Sequence, residues 1–154
     1  MSLYFAYGSN MVVERMRERG VPFVTSQPAV LREHRLVFDK RGRDGSARAN
    51  VARARGERTF GVLYELSGGA LDVLSQFESG YDLVDVAVEV ARQDGGVQLL
   101  QARTFVARPD RKTAADPTRS YVELILEGAR EHGLPEEAQL EILKAAAGRK
   151  GDPR

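Results

Sequence analysis

Tyr4-Phe5-Ala6-Tyr7-Gly8-Ser9-Asn10-Met11 is the stretch that decides how this chain is read. An apolar run stops at a glycine, two small polar residues follow, and a helical pattern begins at Met11. A strand, a tight loop and a helix N-terminus are compressed into that segment. Such a loop aims several backbone N–H groups at one spot, where the dipole of the following helix also favours negative charge. Gly8 lets a ligand or another backbone come close, and Asn10 is placed to cap the helix. The simplest reading is a strand-to-helix turn with an N-cap. The functional reading is a cradle for a small carboxylate or phosphate, although the glycine spacing and lysine of a P-loop are missing.

Working outward, Met11 to Arg19 reads as a short amphipathic helix ended by Gly20, and Val21 to Thr25 as a connector. Gln27 to Leu31 and Arg35 to Asp39 read as two strands, and Lys40 to Asn50 as an exposed, glycine-rich loop. Thr59 to Leu66 is a strand. Ser67 then caps a helix over Gly69 to Phe77, with Leu71, Leu74 and Phe77 on one face. Tyr81 to Ala91 alternates, Val84, Val86, Val88 and Val90 falling on one side. It turns at Asp94-Gly95-Gly96 and pairs with Val97 to Ala107 as a hairpin. After a polar loop, Asp116-Pro117 starts a helix that buries Tyr121, Leu124, Ile125 and Ala129 before Gly133. Pro135 opens a last helix through Leu140, Leu143 and Ala147. Strands in the middle and helices at the end predict an α+β domain around a curved or barrel-like sheet. The domain is expected over residues 1–147, with 148–154 a basic C-terminal tail.

Length and composition bound the function. With 154 residues, 42% of them hydrophobic and 29% charged, the chain has enough material for one globular core. Twenty-three Lys and Arg against 22 Asp and Glu leave a net charge of +1, which gives no reason to expect a nucleic-acid partner. There is no cysteine, so disulfides, thiolate catalysis and zinc-thiolate sites are excluded. His34 and His132 stand far apart without ligand spacing, and no carboxylate motif suggests a metal. No apolar run reaches membrane-spanning length and no leader pattern opens the chain, so a cytoplasmic location is expected.

Acid–base chemistry then falls to a carboxylate or a tyrosine. Glu78 is the best-placed acid: it follows an apolar helix, stands beside Phe77, and precedes Gly80 and Tyr81. Desolvation there would raise its pKa from about 4.3 toward the useful range of a proton shuttle. The plain alternative is an exposed glutamate at a helix end. Ser9 has no evident histidine partner and reads as a ligand or capping residue rather than a nucleophile. Tyr121 reads as core, Asp85 and Glu89 as solvated. Arg41, Arg43 and Arg48 read as a solvated loop, an anion contact being the alternative.

Tyr4 to Asn10 resembles the signature loop of the γ-glutamylcyclotransferase family, which includes AIG2-like proteins. Three further stretches resemble the same family in the same order: Gly61-Val62-Leu63-Tyr64, Leu74 to Glu78, and Gly128-Ala129-Arg130-Glu131-His132-Gly133-Leu134-Pro135. The resemblance spans Tyr4 to about Leu143, and its first and last stretches are specific. It implies a small mixed β-barrel with flanking helices. The reaction it implies closes a γ-glutamyl amino acid to 5-oxoproline and frees the amino acid. Glu78 matches the catalytic glutamate, Tyr7, Gly8, Ser9 and Asn10 the loop that holds the glutamyl group, and Tyr121 a substrate-contacting tyrosine. Two positions depart from the pattern: Ser75 stands where the family commonly has aspartate, and Ser79 where it has glycine.

The resemblance thus implies a small-molecule γ-glutamyl substrate, no cofactor, no metal and no membrane or nucleic-acid partner, with the chain a monomer or homodimer. A γ-glutamyl amine or glutathione is the neighbouring substrate choice. The rivals from other classes are a non-catalytic module that binds a small acid on the same fold, and an interaction domain, for which no exposed apolar segment speaks.

Overall fold

The computed structural model describes residues 1–148. β1 (Ser2–Ala6) leads through a 3-10 turn (Ser9–Met11) into α1 (Val13–Glu18). Two long strands follow, β2 (Phe23–Arg41) and β3 (Ala47–Leu66), then α2 (Ala70–Ser75) and the hairpin β4 (Tyr81–Ala91) and β5 (Val97–Ala107). A second 3-10 turn (Pro109–Arg111) precedes α3 (Arg119–Glu131) and α4 (Glu136–Ala146). The strands hydrogen-bond in the order β1-β3-β2-β4-β5, and the curved sheet closes on itself as a barrel. Closure comes from a parallel pairing of β1 with β5 at Tyr4 and Arg103, while β1 and β3 run antiparallel from Ser2 opposite Leu66 to Ala6 opposite Val62. The expected small mixed β-barrel with flanking helices is what the chain forms.

β1 reads apolar without alternation because both of its faces are covered, the consecutive Tyr4, Phe5 and Ala6 all being buried. Gly61 on β3 makes that possible. A Cβ there would lie 2.4 Å from the Ala6 carbonyl oxygen and 2.6 Å from the Phe5 ring. Gly128 has the same part on α3, where a Cβ would meet the Met11 Cβ at 2.7 Å. Gly61 lets β3 lie close against β1, and Gly128 lets α3 sit directly on the Ser9–Met11 turn. They explain why Gly61-Val62 and Gly128-Ala129 stand out in the sequence.

Several local expectations change. Gln27–Leu31 and Arg35–Asp39 are parts of one 19-residue strand, joined through a register shift at Glu33, whose φ of 60° is the one positive value at a non-glycine among the described residues. The exposed loop shrinks to the turn at Gly42–Ser46, because Ala47, Ala49 and Val51 pair with Arg41, Phe38 and Leu36. Alanine and arginine have little strand preference, and tertiary pairing overrides it. Asn10 and Ser67 do not cap helices through their side chains. α3 starts not at Asp116-Pro117 but after Thr118, whose hydroxyl accepts from the Tyr121 amide at 3.2 Å. On α4, Ala138, Ile142 and Ala145 face inward and Leu140 and Leu143 outward. Along β4, Val88 and Val90 are buried, Val84 and Val86 half-buried. The expected basic tail lies, beyond Gly148, outside the described residues. Gly20, Gly95 and Gly133 take the positive φ that their stop and turn roles require. Among the described residues no helix is long and apolar enough to cross a membrane.

Candidate acid–base site at the Gly8 to Asn10 turn

The turn after β1 is buried, and its 3-10 bonds run from the Met11 amide to the Gly8 carbonyl and from Val12 to Ser9. Asn10 therefore directs its side chain into the interior rather than onto a helix end. Its Nδ2 donates to Glu78 Oε1 at 2.8 Å and to the Tyr4 hydroxyl at 3.0 Å. Its Oδ1 accepts from the Arg19 guanidinium at 2.9 Å, and its backbone carbonyl from the Tyr64 hydroxyl at 2.6 Å. One asparagine thus orients the carboxylate, an arginine and two phenols.

Glu78 arrives from the far side, just past α2, in a turn in which the Tyr81 amide donates to the Glu78 carbonyl and Gly80 takes a φ of 88°. Its side chain is only 15% exposed. Burial pushes its pKa above the usual carboxylate value, while Arg19, the Asn10 hydrogen bond, Arg15 and Lys40 pull against that shift. Arg19 Nη1 stands 3.4 Å from the same Oε1 that Asn10 holds, so both recorded contacts fall on one oxygen. Phe77, expected on the inner face of its helix, is 47% exposed and lies under the Arg19 guanidinium at 5.0 Å. Tyr81 supplies the aromatic wall instead. Ser75 bonds the Leu71 carbonyl at 2.9 Å, so the recorded support for Glu78 comes from Asn10 and Arg19.

Tyr121 and Gly8 meet on the opposite wall. A Cβ on Gly8 would be 3.2 Å from Ala49 Cβ and 3.5 Å from the Tyr121 hydroxyl. That hydroxyl accepts from the Ala49 amide at 3.0 Å, and the Tyr81 hydroxyl donates to the Ala49 carbonyl at 2.7 Å. A phenol that accepts keeps its own proton to give, so Tyr121 and Tyr4 retain donor capacity. Tyr7 does not, because its hydroxyl donates to the Phe105 carbonyl. Burial holds the Tyr4, Tyr7 and Tyr121 phenols above their ordinary values, and the Glu78 charge acts on all three in the same direction. Ser9 is buried, and neither histidine is recorded against it: His34 bonds the Arg32 carbonyl, and His132 bonds Gly128 and Ser26.

Asn10 and Glu78 are thus in direct contact, Gly8 and Tyr121 face each other, and Ser9 is buried in the turn that joins Gly8 to Asn10. Sequence reasoning missed Arg15, Arg19 and Lys40, and read Arg48 as solvated. Arg41 and Arg43 are exposed, but the Arg48 guanidinium lies over the Tyr121 ring at 4.6 Å and the Lys40 ammonium over the Tyr81 ring at 4.8 Å. Only the placement of Lys40 and Arg48 on either side of a tight turn hinted at this. Among the described residues no group of three or more His, Asp or Glu is placed to hold a metal ion.

The fold and site are those of a small mixed barrel with a buried carboxylate hydrogen-bonded to the turn after β1. Comparison with known proteins names the family. Residues 58–139 match the model of the AIG2-like family. The human gamma-glutamylcyclotransferase is 32% identical over 151 residues, covering 93% of this chain and 77% of that protein. The mouse protein of the same name is 30% identical over 148 residues, covering 93% and 77%. A solved gamma-glutamyl cyclotransferase superposes with a TM-score of 0.77 at 28% identity, covering 92% of this chain and 86% of that one. The chain belongs to the γ-glutamylcyclotransferase family.

Proposed function

We propose that this protein is a γ-glutamylcyclotransferase that converts a γ-glutamyl amino acid to 5-oxoproline and the free amino acid, with Glu78 as general acid and base. The observation that carries the reading is the Asn10–Glu78 contact, in which the family's signature loop holds an acid whose pKa burial raises. The substrate's α-amine attacks its own γ-carbonyl and closes a five-membered ring. Holding the folded conformer is most of the task, since a well-oriented intramolecular reaction recovers about 7–11 kcal/mol of barrier.

The amine begins as ammonium and must lose a proton before it can attack. Raising the carboxylate's pKa narrows the gap between acceptor and donor, which favours the transfer. Glu78 takes that proton and later delivers one to the departing amine, while Asn10 and Arg19 hold Oε1 in place. Gly8, Ser9 and Asn10 present the turn's leading amides to the glutamyl carboxylate or the developing oxyanion. Tyr121 donates its free hydroxyl proton to substrate, and Tyr7 shapes the wall by fixing the end of β5. A cytoplasmic location and a monomeric or homodimeric state belong to the same reading, checked by fractionation and sedimentation.

The test is 5-oxoproline release from γ-glutamyl amino acids, γ-glutamyl amines and glutathione. Glu78→Gln is expected to fold and to lose roughly a hundred- to ten-thousand-fold in kcat/KM. A folded variant with full turnover contradicts the assignment.

A further inference from the structure

Lys40 and Arg48 are direct partners across β2 and β3, so two cations face each other on adjacent strands. Like charges placed opposite one another in an antiparallel pair cost stability. Neither side chain swings away into solvent. Lys40 lies over Tyr81 and Arg48 over Tyr121, the two phenols that bracket Ala49 at the site. The neighbourhood is fitted to this arrangement, because a Cβ on Gly80 would stand 2.9 Å from Lys40 Cε and 3.3 Å from Arg111 Cγ. Arg48 stands 3.9 Å from the Asp44 carboxylate on the exposed turn. Lys40 forms no ion pair among the described residues. Burial holds the Lys40 ammonium below the usual lysine range. Glu78 opposes that shift, and Arg111, Arg48 and Arg41 reinforce it.

This crowd is more positive than the reaction centre requires. Arg19, Arg15 and Lys40 all act on the single carboxylate of Glu78, and Arg48 lies across from Lys40. A γ-glutamyl amine brings one carboxylate and one ammonium and no net charge. A γ-glutamyl amino acid brings a second carboxylate, carried by the leaving half. Arg15 and Arg19 stand at α1, Arg19 bonded to Asn10, whereas Lys40 and Arg48 come from β2 and β3 and lie over the Tyr81 and Tyr121 rings.

Resting on the cyclotransferase reading, we propose that Lys40 and Arg48 are specificity-determining residues that bind the carboxylate of the leaving amino acid. The repulsion between them is offset when that anion arrives, so the pair discriminates by charge against substrates that lack it. Its members touch the departing half and not the ring-closing atoms.

γ-Glutamyl-alanine and γ-glutamyl-ethylamide differ only by this carboxylate, and the ratio of their kcat/KM values is independent of the fraction of enzyme that is folded. The wild type is expected to prefer γ-glutamyl-alanine. Lys40→Met and Arg48→Met are each expected to lower that ratio about tenfold to a hundredfold, the worth of a charge-assisted hydrogen bond, and Lys40→Arg to restore most of it. A ratio unchanged in both methionine variants, or a wild type that shows no preference, overturns the inference while leaving the cyclotransferase intact. A wild type that releases 5-oxoproline from neither compound overturns the parent reading and this one together.

Discussion

At the scale of single residues, the protonation of Glu78 ties stability to pH. Burial disfavours its charged form, so between the ordinary glutamate value of about 4.3 and the raised native value the folded chain binds more proton than the unfolded one. Stability therefore falls as pH climbs through that window, and the ionised Glu78 is a net cost above it. Glu78→Gln removes the cost. Its thermal midpoint is expected to match the wild type in acid and to exceed it at about pH 8, as melts across the range would reveal. A wild type that outlasts the variant at high pH contradicts the raised pKa. Asn10→Asp is the sharper probe of the contact itself. It replaces the donor at 2.8 Å with a second carboxylate, so the acid limb of the kcat/KM profile is expected to move to higher pH. The burial of Glu78 was foreshadowed in the sequence by its aromatic and glycine neighbours. The work of Asn10 was not, since capping is its commoner use after a loop, and nothing local told that Glu78 would stand against it.

At the scale of elements, the site depends on how closely α3 can press on the Ser9–Met11 turn. Gly128→Ala gains helix propensity of about 1 kcal/mol but places a methyl 2.7 Å from Met11 Cβ and 3.0 Å from its backbone carbon. Overpacking against backbone outweighs that gain, with a net loss of about 1–2 kcal/mol expected in denaturant titrations, and a fall in kcat as the turn shifts. The amphipathic α3 and the β4–β5 hairpin were readable because their periodicity and turn glycines agree with their surroundings. β3 was half-read. Residues 47–58 are rich in alanine and arginine, which carry little strand signal, and only pairing with β2 makes a strand of them. That missed extension is also why Arg48 was taken for a loop residue rather than one fixed over Tyr121.

At the scale of the whole molecule, a net charge of +1 conceals a strongly cationic site set in an otherwise balanced surface. The barrel was expected from strand count and family likeness, but its closure was not readable from pattern, because it depends on a parallel pairing between residues 99 positions apart, Tyr4 and Arg103. That closure governs when the protein becomes active as well as what it looks like. β2 with β3, and β4 with β5, are hairpins joined by tight local turns, whereas the pairing of β1 with β3 and β5 links the start of the chain to distant segments. Local contacts form readily, and remote ones must wait for a large loop to close. Tyr4 sits in the closing strand and Asn10 just beyond it, so the acid at Glu78 has its partners only after the ends of the sheet have met. Activity is expected to return during refolding no earlier than the last structural signal, as parallel assays of 5-oxoproline release and far-UV dichroism would follow. The partly folded chain is, in effect, a disarmed enzyme.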